Sequence, residues 1–99
     1  MSQDTRNLTL RTLDVLEALC GYAATGATNG ELAKAANTTA PNITRAMALL
    51  IAKGWATKDA DSGRFFPSAA FTRLTFKVDA DFSRAQTRLD DRKRNATGR

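Results

Sequence analysis

Two amphipathic segments of this chain lie only a few residues apart, and nothing else in the sequence restricts the fold as strongly. The earlier one carries Leu32, Ala35 and Ala36 on one side and ends near Asn37. The later one starts near Thr39 and aligns Ile43, Ala46, Met47 and Leu50 on one face. Apolar residues recurring at three- and four-residue steps mark helices with a core-facing side. The stretch between them, Asn37 to Ala40, has room for a tight turn and nothing more, so the two helices must cross sharply. Their limits are written in residue types. Thr28-Asn29-Gly30-Glu31 fits a capping box ahead of the first. Thr38 or Thr39 can cap the second, Pro41 falls in its first turn, and Lys53-Gly54 ends it.

The surrounding sequence supplies the rest of a small domain. Leu10, Leu13, Leu16, Leu19, Cys20 and Ala23 predict a first helix from about Thr9 to Ala24, stopped by Gly26. After Gly54, two β-prone runs, Trp55 to Lys58 and Phe65 to Pro67, flank the polar segment Asp59 to Arg64 and predict a hairpin with the proline at an edge. Beyond Ser68, a possible cap, Phe71, Leu74, Val78, Phe82, Ala85 and Leu89 form a stripe at helical spacing. A rival pattern alternates strictly from Arg73 to Asp79 and would suit a strand. Only the strand explains Phe76; the helix explains six apolar positions and is preferred. No internal repeat and no low-complexity segment stands out. The expected organisation is a flexible stretch over 1–8, a domain over 9–67, an association helix over 68–92 and a disordered tail over 93–99.

Composition narrows the function classes. The chain has 99 residues, 42 % hydrophobic and 25 % charged, which suits one globular domain rather than a disordered chain. No run approaches the ~20 apolar residues of a membrane span, and none resembles a signal peptide, so no membrane association is expected. Histidine is absent and cysteine occurs once, so the commonest general base and any zinc cluster are missing. Cys20, among Leu16, Leu19 and Ala23, reads as a buried thiol in a reducing cytoplasm. The pairs Asp79/Asp81 and Asp90/Asp91 sit in hydrophilic surroundings beside arginines and read as helix-end or salt-bridge residues rather than as an acid–base or metal site. Catalytic residues, cofactors and metal ligands are all expected to be none.

The net charge of +5 points to a polyanion. Its placement is more telling. Residues 1–37 carry three basic and four acidic side chains, whereas residues 38–78 carry Arg45, Lys53, Lys58, Arg64, Arg73 and Lys77 against Asp59 and Asp61. The excess thus falls on the third helix, the hairpin and the segment just after it. On the third helix, the face opposite the apolar one is Pro41, Thr44, Arg45, Ala48 and Ala52, with Asn42 beside it. Small residues there, Ala40 included, let a backbone approach a groove floor. Arginine can pair bidentately with guanine and asparagine with adenine, and threonine offers a hydroxyl and a methyl. A solvated helix face would explain the same residues taken singly; the short turn and hairpin together favour DNA. Lys58 and Arg64 flank the hairpin turn and can straddle a phosphate strand, the competing reading being ion pairs with Asp59 or Asp61. Trp55, at the helix exit, reads as structural rather than as a base-stacking platform. One of Phe65 and Phe66 belongs to the core; the other has no assigned role.

From Arg11 to Pro67 the chain resembles the N-terminal DNA-binding domain of IclR-type bacterial regulators. The likeness rests on Arg11-Thr12-Leu13-Asp14-Val15-Leu16, Thr28-Asn29-Gly30-Glu31-Leu32-Ala33, Asn42-Ile43-Thr44-Arg45, and Lys53-Gly54-Trp55 leading into Asp61-Ser62-Gly63-Arg64-Phe65. MarR-type regulators share a similar layout. The resemblance implies a winged helix-turn-helix whose third helix reads the major groove, a wing on the backbone, and dimers through the first helix and the helix after the wing. The chain departs from the family after the wing, where about thirty residues stand in place of an effector domain, so no small-molecule effector is expected.

The expected fold is therefore mainly α with a small β-hairpin, a winged helix-turn-helix followed by a C-terminal dimerisation helix. The expected function is a cytoplasmic, nucleoid-associated transcriptional regulator, a homodimer on double-stranded DNA. Candidate DNA contacts are Thr28, Thr38, Thr39, Ala40, Pro41, Asn42, Thr44, Arg45, Lys58 and Arg64. Candidate dimer contacts are Leu10, Leu13, Phe71, Leu74, Val78, Phe82 and Leu89. The competing class is a winged-helix protein-interaction module, such as an anti-repressor, offering the same basic face to an acidic protein.

Overall fold

The computed structural model describes the backbone of residues 2–97 and the side chains of residues 7–97. In chain order it contains α1 (Ser2–Cys20), α2 (Asn29–Ala35), α3 (Ala40–Lys53), β1 (Ala56–Lys58), β2 (Phe65–Pro67) and α4 (Ala69–Ala96). It is mainly helical with one small antiparallel sheet, in the register Ala56 to Pro67, Thr57 to Phe66 and Lys58 to Phe65.

One core holds the first three helices and the hairpin together. Val15, Leu16 and Leu19 of α1, Leu32 of α2, and Ile43, Ala46, Met47 and Leu50 of α3 are buried with Ala27, Ala56 and Phe65. Burying one such leucine or isoleucine stabilises by roughly 1.5–3 kcal/mol, so this cluster is the main source of stability. The α2–α3 connection is a sharp bend, as its length predicts. Asn37 takes φ 54, and the N–H of Thr38 donates back to Ala33 O at 2.9 Å. Asparagine tolerates this left-handed position better than most residues. At the far end of α3, Gly54 closes the helix at φ 86.

The α1–α2 linker joins the sheet, a feature not legible in the sequence. Ala27 and Phe65 exchange two backbone hydrogen bonds, 2.9 and 2.8 Å, as an isolated bridge beside β2. Gly26 makes this approach possible. It is buried at φ 78, and a Cβ there would lie 2.5 Å from the Phe66 ring. Phe65 is thus the core residue of its pair, and Phe66 covers the glycine.

Several boundaries differ from the sequence reading. Helix α1 ends at Cys20 rather than Ala24, because the N–H groups of Gly21 and Tyr22 turn to the i−3 carbonyls of Ala18 and Leu19 and tighten the last turn. The buried stripe of α1 rotates toward Val15. That leaves Leu10 and Leu13 55 % and 51 % exposed and places Cys20 on the surface, which corrects the reading of a buried thiol. Residues 2–8, expected to be a flexible stretch, are placed in α1; no glycine or proline interrupts the run from Ser2 to Cys20. Met1 lies outside the described residues.

Residues 73–79 are helical, as preferred over the strand. Helix α4 continues through the segment expected to be a disordered tail, ending at Ala96 with Thr97 as its cap. Hydrogen bonds from Gln86 to Asp90 and between Arg94 and Asp91 support it, and the next glycine is Gly98. Gly98 and Arg99 lie outside the described residues.

Helix α4 leaves the core instead of folding back on it. None of its residues is buried, and only Phe71 and Ala85 are half-covered. The molecule consequently has a radius of gyration of 19.1 Å, against about 13 Å for a compact chain of this length.

Candidate nucleic-acid interface

Helix α3 divides its residues between core and surface, with the apolar Leu49 and Ile51 among the exposed ones. Ile43, Ala46, Met47 and Leu50 face the core, while Pro41, Thr44, Arg45, Ala48 and Ala52 are exposed. Thr39 is the N-cap residue, yet its side chain makes no capping bond and stands exposed. Ala40 is exposed beside it, so the first turn of α3 offers small side chains and backbone to a partner.

The polar side chains on this face form a short chain of hydrogen bonds. Asn42 is half-buried; its Nδ2 donates to Thr38 Oγ1 at 2.8 Å, and its Oδ1 accepts from an Arg45 guanidinium nitrogen at 2.8 Å. Asn42 therefore spends both ends of its amide inside the protein and orients Arg45. Each end of the amide has a second hydrogen-bonding site, so these bonds orient Asn42 without closing it to a partner. Arg45 is exposed, and a guanidinium carries five N–H groups, so it has donors beyond the one given to Asn42. Asn42 and Arg45, both expected at the interface, are thus joined by a hydrogen bond on the outer side of α3.

A second network joins α2 to α3. Asn29 Nδ2 donates to Ala40 O at 3.3 Å and to Thr44 Oγ1 at 3.2 Å. Its Oδ1 is buried without a partner among the described residues. Thr28 caps α2: Glu31 N donates to its hydroxyl at 3.1 Å, and Thr28 N donates to Glu31 Oε1 at 2.8 Å, completing the capping box. Thr28, Asn29, Thr44, Met47 and Ile51 line one wall of a groove of about 490 Å³ whose other wall is Lys58, Ser62, Gly63 and Phe65 of the hairpin. Lys58 and Thr44 both line this groove. Lys58 is exposed, with its Nζ 5.5 Å from the centre of the Phe65 ring.

Arg64 does something else. Its guanidinium donates to Gly26 O at 3.1 Å and pairs with Glu31 Oε1 at 3.1 Å, leaving the side chain 38 % exposed. It latches the hairpin to the α2 capping box, and neither Asp59 nor Asp61 is its partner. Asp59 instead accepts from Ser62 N at 2.8 Å and from Ser62 Oγ at 2.6 Å, which closes the hairpin turn. Both acids titrate below their ordinary values. For Glu31 the largest cause is the Thr28 backbone N–H, with Arg64 adding to it. For Asp59 it is the Ser62 hydroxyl, then the Ser62 N–H.

Sequence reasoning missed Asn29 and the Glu31–Arg64 pair. Glu31 was visible as a capping residue, but its partner is thirty-three positions away, and no local pattern encodes that. Trp55 is structural, half-buried with its ring centroid 5.6 Å from that of Phe71 and Lys53 Nζ 5.3 Å above it. Of the seven expected dimer contacts, Phe71 is thus engaged within the chain. Leu10, Leu13, Leu74, Val78, Phe82 and Leu89 are 40–72 % exposed.

Among the described residues there is no group of three or more His, Cys, Asp or Glu side chains able to hold a metal, and no helix long and apolar enough to cross a membrane. No family model, no curated protein and no solved structure matches the chain.

Proposed function

We propose that this chain is a sequence-specific, double-stranded DNA-binding transcriptional regulator built on a winged helix-turn-helix. Helix α3 is the recognition helix and enters the major groove; the β1–β2 hairpin is the wing and lies on the adjacent sugar–phosphate strand. The observation that carries this reading is the outer face of α3. Pro41, Thr44, Arg45 and Ala48 are exposed on a helix whose other face is locked in the core, and Lys58 lines a groove with Thr44. A helix fits the major groove of B-DNA, and small residues let it seat deeply. The likeness of residues 11–67 to the IclR-type DNA-binding domain belongs to the same reading. So do a cytoplasmic, nucleoid-associated location and a homodimer that places two recognition helices on half-sites about one helical turn, ~10 bp, apart or a multiple of it.

Within this reading the side chains divide the work. Arg45 reads a base edge, Thr39, Thr44 and Lys58 contact phosphate or sugar, and Asn42 and Arg64 hold the readers in place. Duplexes selected from a random pool, then titrated at two salt concentrations, test this. Specific binding should fall steeply with salt, because phosphate contacts release counterions. Arg45→Ala should cost about 1–3 kcal/mol on the selected site and far less on random duplex. Equal losses on both would make Arg45 a phosphate contact, and no binding at low salt would remove DNA from the proposal.

A further inference from the structure

Helix α4 carries an eleven-residue repeat, contrary to the reading that no internal repeat is present. Residues 71–81 run Phe-Thr-Arg-Leu-Thr-Phe-Lys-Val-Asp-Ala-Asp, and residues 82–92 run Phe-Ser-Arg-Ala-Gln-Thr-Arg-Leu-Asp-Asp-Arg. Phe71, Arg73 and Asp79 recur unchanged as Phe82, Arg84 and Asp90. Thr72, Lys77 and Val78 recur in kind as Ser83, Arg88 and Leu89. Eleven residues make three turns at about 3.67 per turn, so the repeat keeps one apolar seam along the helix and favours a slight right-handed supercoil on pairing. The seam is Leu74, Val78, Phe82, Ala85 and Leu89. Its large members are 40–72 % exposed, and the first phenylalanine of the repeat, Phe71, is set against Trp55 at the root of the helix.

Charge decides what covers the seam and in which direction. Lys77 and Asp79 each lie one residue, about 100°, from Val78 on opposite sides of it. Arg88 and Asp90 flank Leu89 in the same way. The seam therefore has an edge that is basic apart from Asp81, which pairs with Arg84 on the same side, and an opposite edge that carries Asp79 and Asp90. Lys77, Arg88 and Asp79 form no ion pair among the described residues, whereas Arg84 is occupied by Asp81. When two identical helices pair in parallel about a two-fold axis, opposite edges meet across the interface. When they pair antiparallel, each edge meets its own kind.

We infer that α4 pairs in parallel with α4 of a second copy, Lys77 and Arg88 of each protomer facing Asp79 and Asp90 of the other. This deepens the homodimer reading above and gives it a geometry. Helix α4 has 28 residues and so spans about 42 Å. Parallel pairing sets the two DNA-binding domains side by side at one end, where both can reach one duplex. Antiparallel pairing would hold them at opposite ends.

Cysteine cross-linking without DNA tests the orientation, so its outcome is independent of whether the chain binds DNA. The background is Cys20→Ser, which removes the exposed native thiol. Into it go Leu74→Cys, Phe82→Cys or Leu89→Cys, one at a time; none of these side chains is buried, so the domain should fold, with Trp55 fluorescence as the check. Under mild oxidation the parallel pair gives a covalent dimer from each of the three. An antiparallel pair centred near Phe82 gives one from Phe82→Cys only, because positions 74 and 89 are then about 22 Å from their own counterparts. That result, or a dimer from fewer than all three, overturns the parallel arrangement; none at all overturns pairing through α4. Reversing the basic edge with Lys77→Asp and Arg88→Asp should weaken the homodimer about tenfold. Mixing that variant with the Asp79→Lys, Asp90→Lys chain should restore association. Unchanged association in the reversed variant counts equally against the inference.

Discussion

Helices α3 and α4 have the same kind of apolar periodicity and opposite fates. In α3 the stripe of Ile43, Ala46, Met47 and Leu50 is buried to 3 % exposure or less, and the opposite polar face is free. In α4 no residue is buried, and Leu74, Val78, Phe82 and Leu89 face solvent. The difference arises at their ends. Helix α3 is entered through a four-residue bend, Ala36 to Thr39, that presses it against α2. Helix α4 is anchored only at its start, where Ser68 Oγ donates to Gly54 O at 2.6 Å and accepts from Phe71 N at 3.1 Å. Periodicity therefore tells which face of a helix seeks cover but not where the cover comes from: only Ser68 separates β2 from α4, a shorter connection than the one into α3.

The largest expected effect separates the two stripes directly. Met47→Ala removes a side chain that is 1 % exposed and should destabilise the domain by about 2–5 kcal/mol. Phe82→Ala, the matching deletion on α4, should change stability by no more than about 0.5 kcal/mol at concentrations too dilute for association. Urea denaturation of both variants gives the comparison. Comparable losses would show that α4 packs on its own domain and would erase the distinction.

A smaller effect probes the joint between the regions. Ser68 is 8 % exposed, and Ser68→Ala deletes a helix cap, a loss of about 1 kcal/mol. It also leaves Gly54 O, at the exit of α3, without its hydroxyl donor. The change should loosen the root of α4 before the core, and the single tryptophan reports on that site because Trp55 packs on Phe71. The expected result is a Trp55 fluorescence transition that precedes the far-ultraviolet circular dichroism transition in urea. Coincident transitions would mean that α4 and the core unfold as one unit.

The contrast also shows how far the residues alone could be read. Elements with a local code were legible: the capping box at Thr28 and Glu31, the bend at Asn37, the exit at Gly54, and the exposed face of α3 at Thr44 and Arg45. Interactions between distant positions were not. Arg64 as a wing contact came from its place beside the hairpin turn, but Glu31 and Gly26 O claim it from another element. Asn42 is a different case: its bonds to Thr38 and Arg45 are local, four and three positions away, and residue types alone did not single them out. The exposure of Cys20 results from a rotation of α1 that only the packing of Val15 fixes. The segment over 93–99 reads as a disordered tail, but opposite charges at helical spacing, as in Asp91 and Arg94, extend a helix as readily as they solvate a coil.

The smallest expected effect concerns acid. The carboxyl of Glu31 titrates below its ordinary range, chiefly through the Thr28 N–H and further through Arg64. A carboxyl depressed in the folded state binds its proton more weakly there than in the unfolded chain. Its contribution is complete above the unfolded carboxylate range and is lost as pH falls through that range to the lower folded value. The α2 cap and the hairpin latch should therefore weaken together in acid, while neutral and alkaline pH leave them unchanged. Both partners are more than one-third exposed, so solvent screening keeps the effect small. Glu31→Gln keeps an acceptor for the Thr28 N–H but removes the titration. Thermal melts at neutral pH and at about pH 3.5, near the bottom of the ordinary carboxylate range, should show a smaller acid-induced drop for Glu31→Gln than for the native chain. Asp59→Asn should reduce the drop in the same direction, since the hairpin turn depends on a carboxyl depressed by Ser62. If both variants lost as much stability in acid as the native chain, the acid-sensitive groups would lie away from the hairpin, and the latch would carry no electrostatic share of the fold.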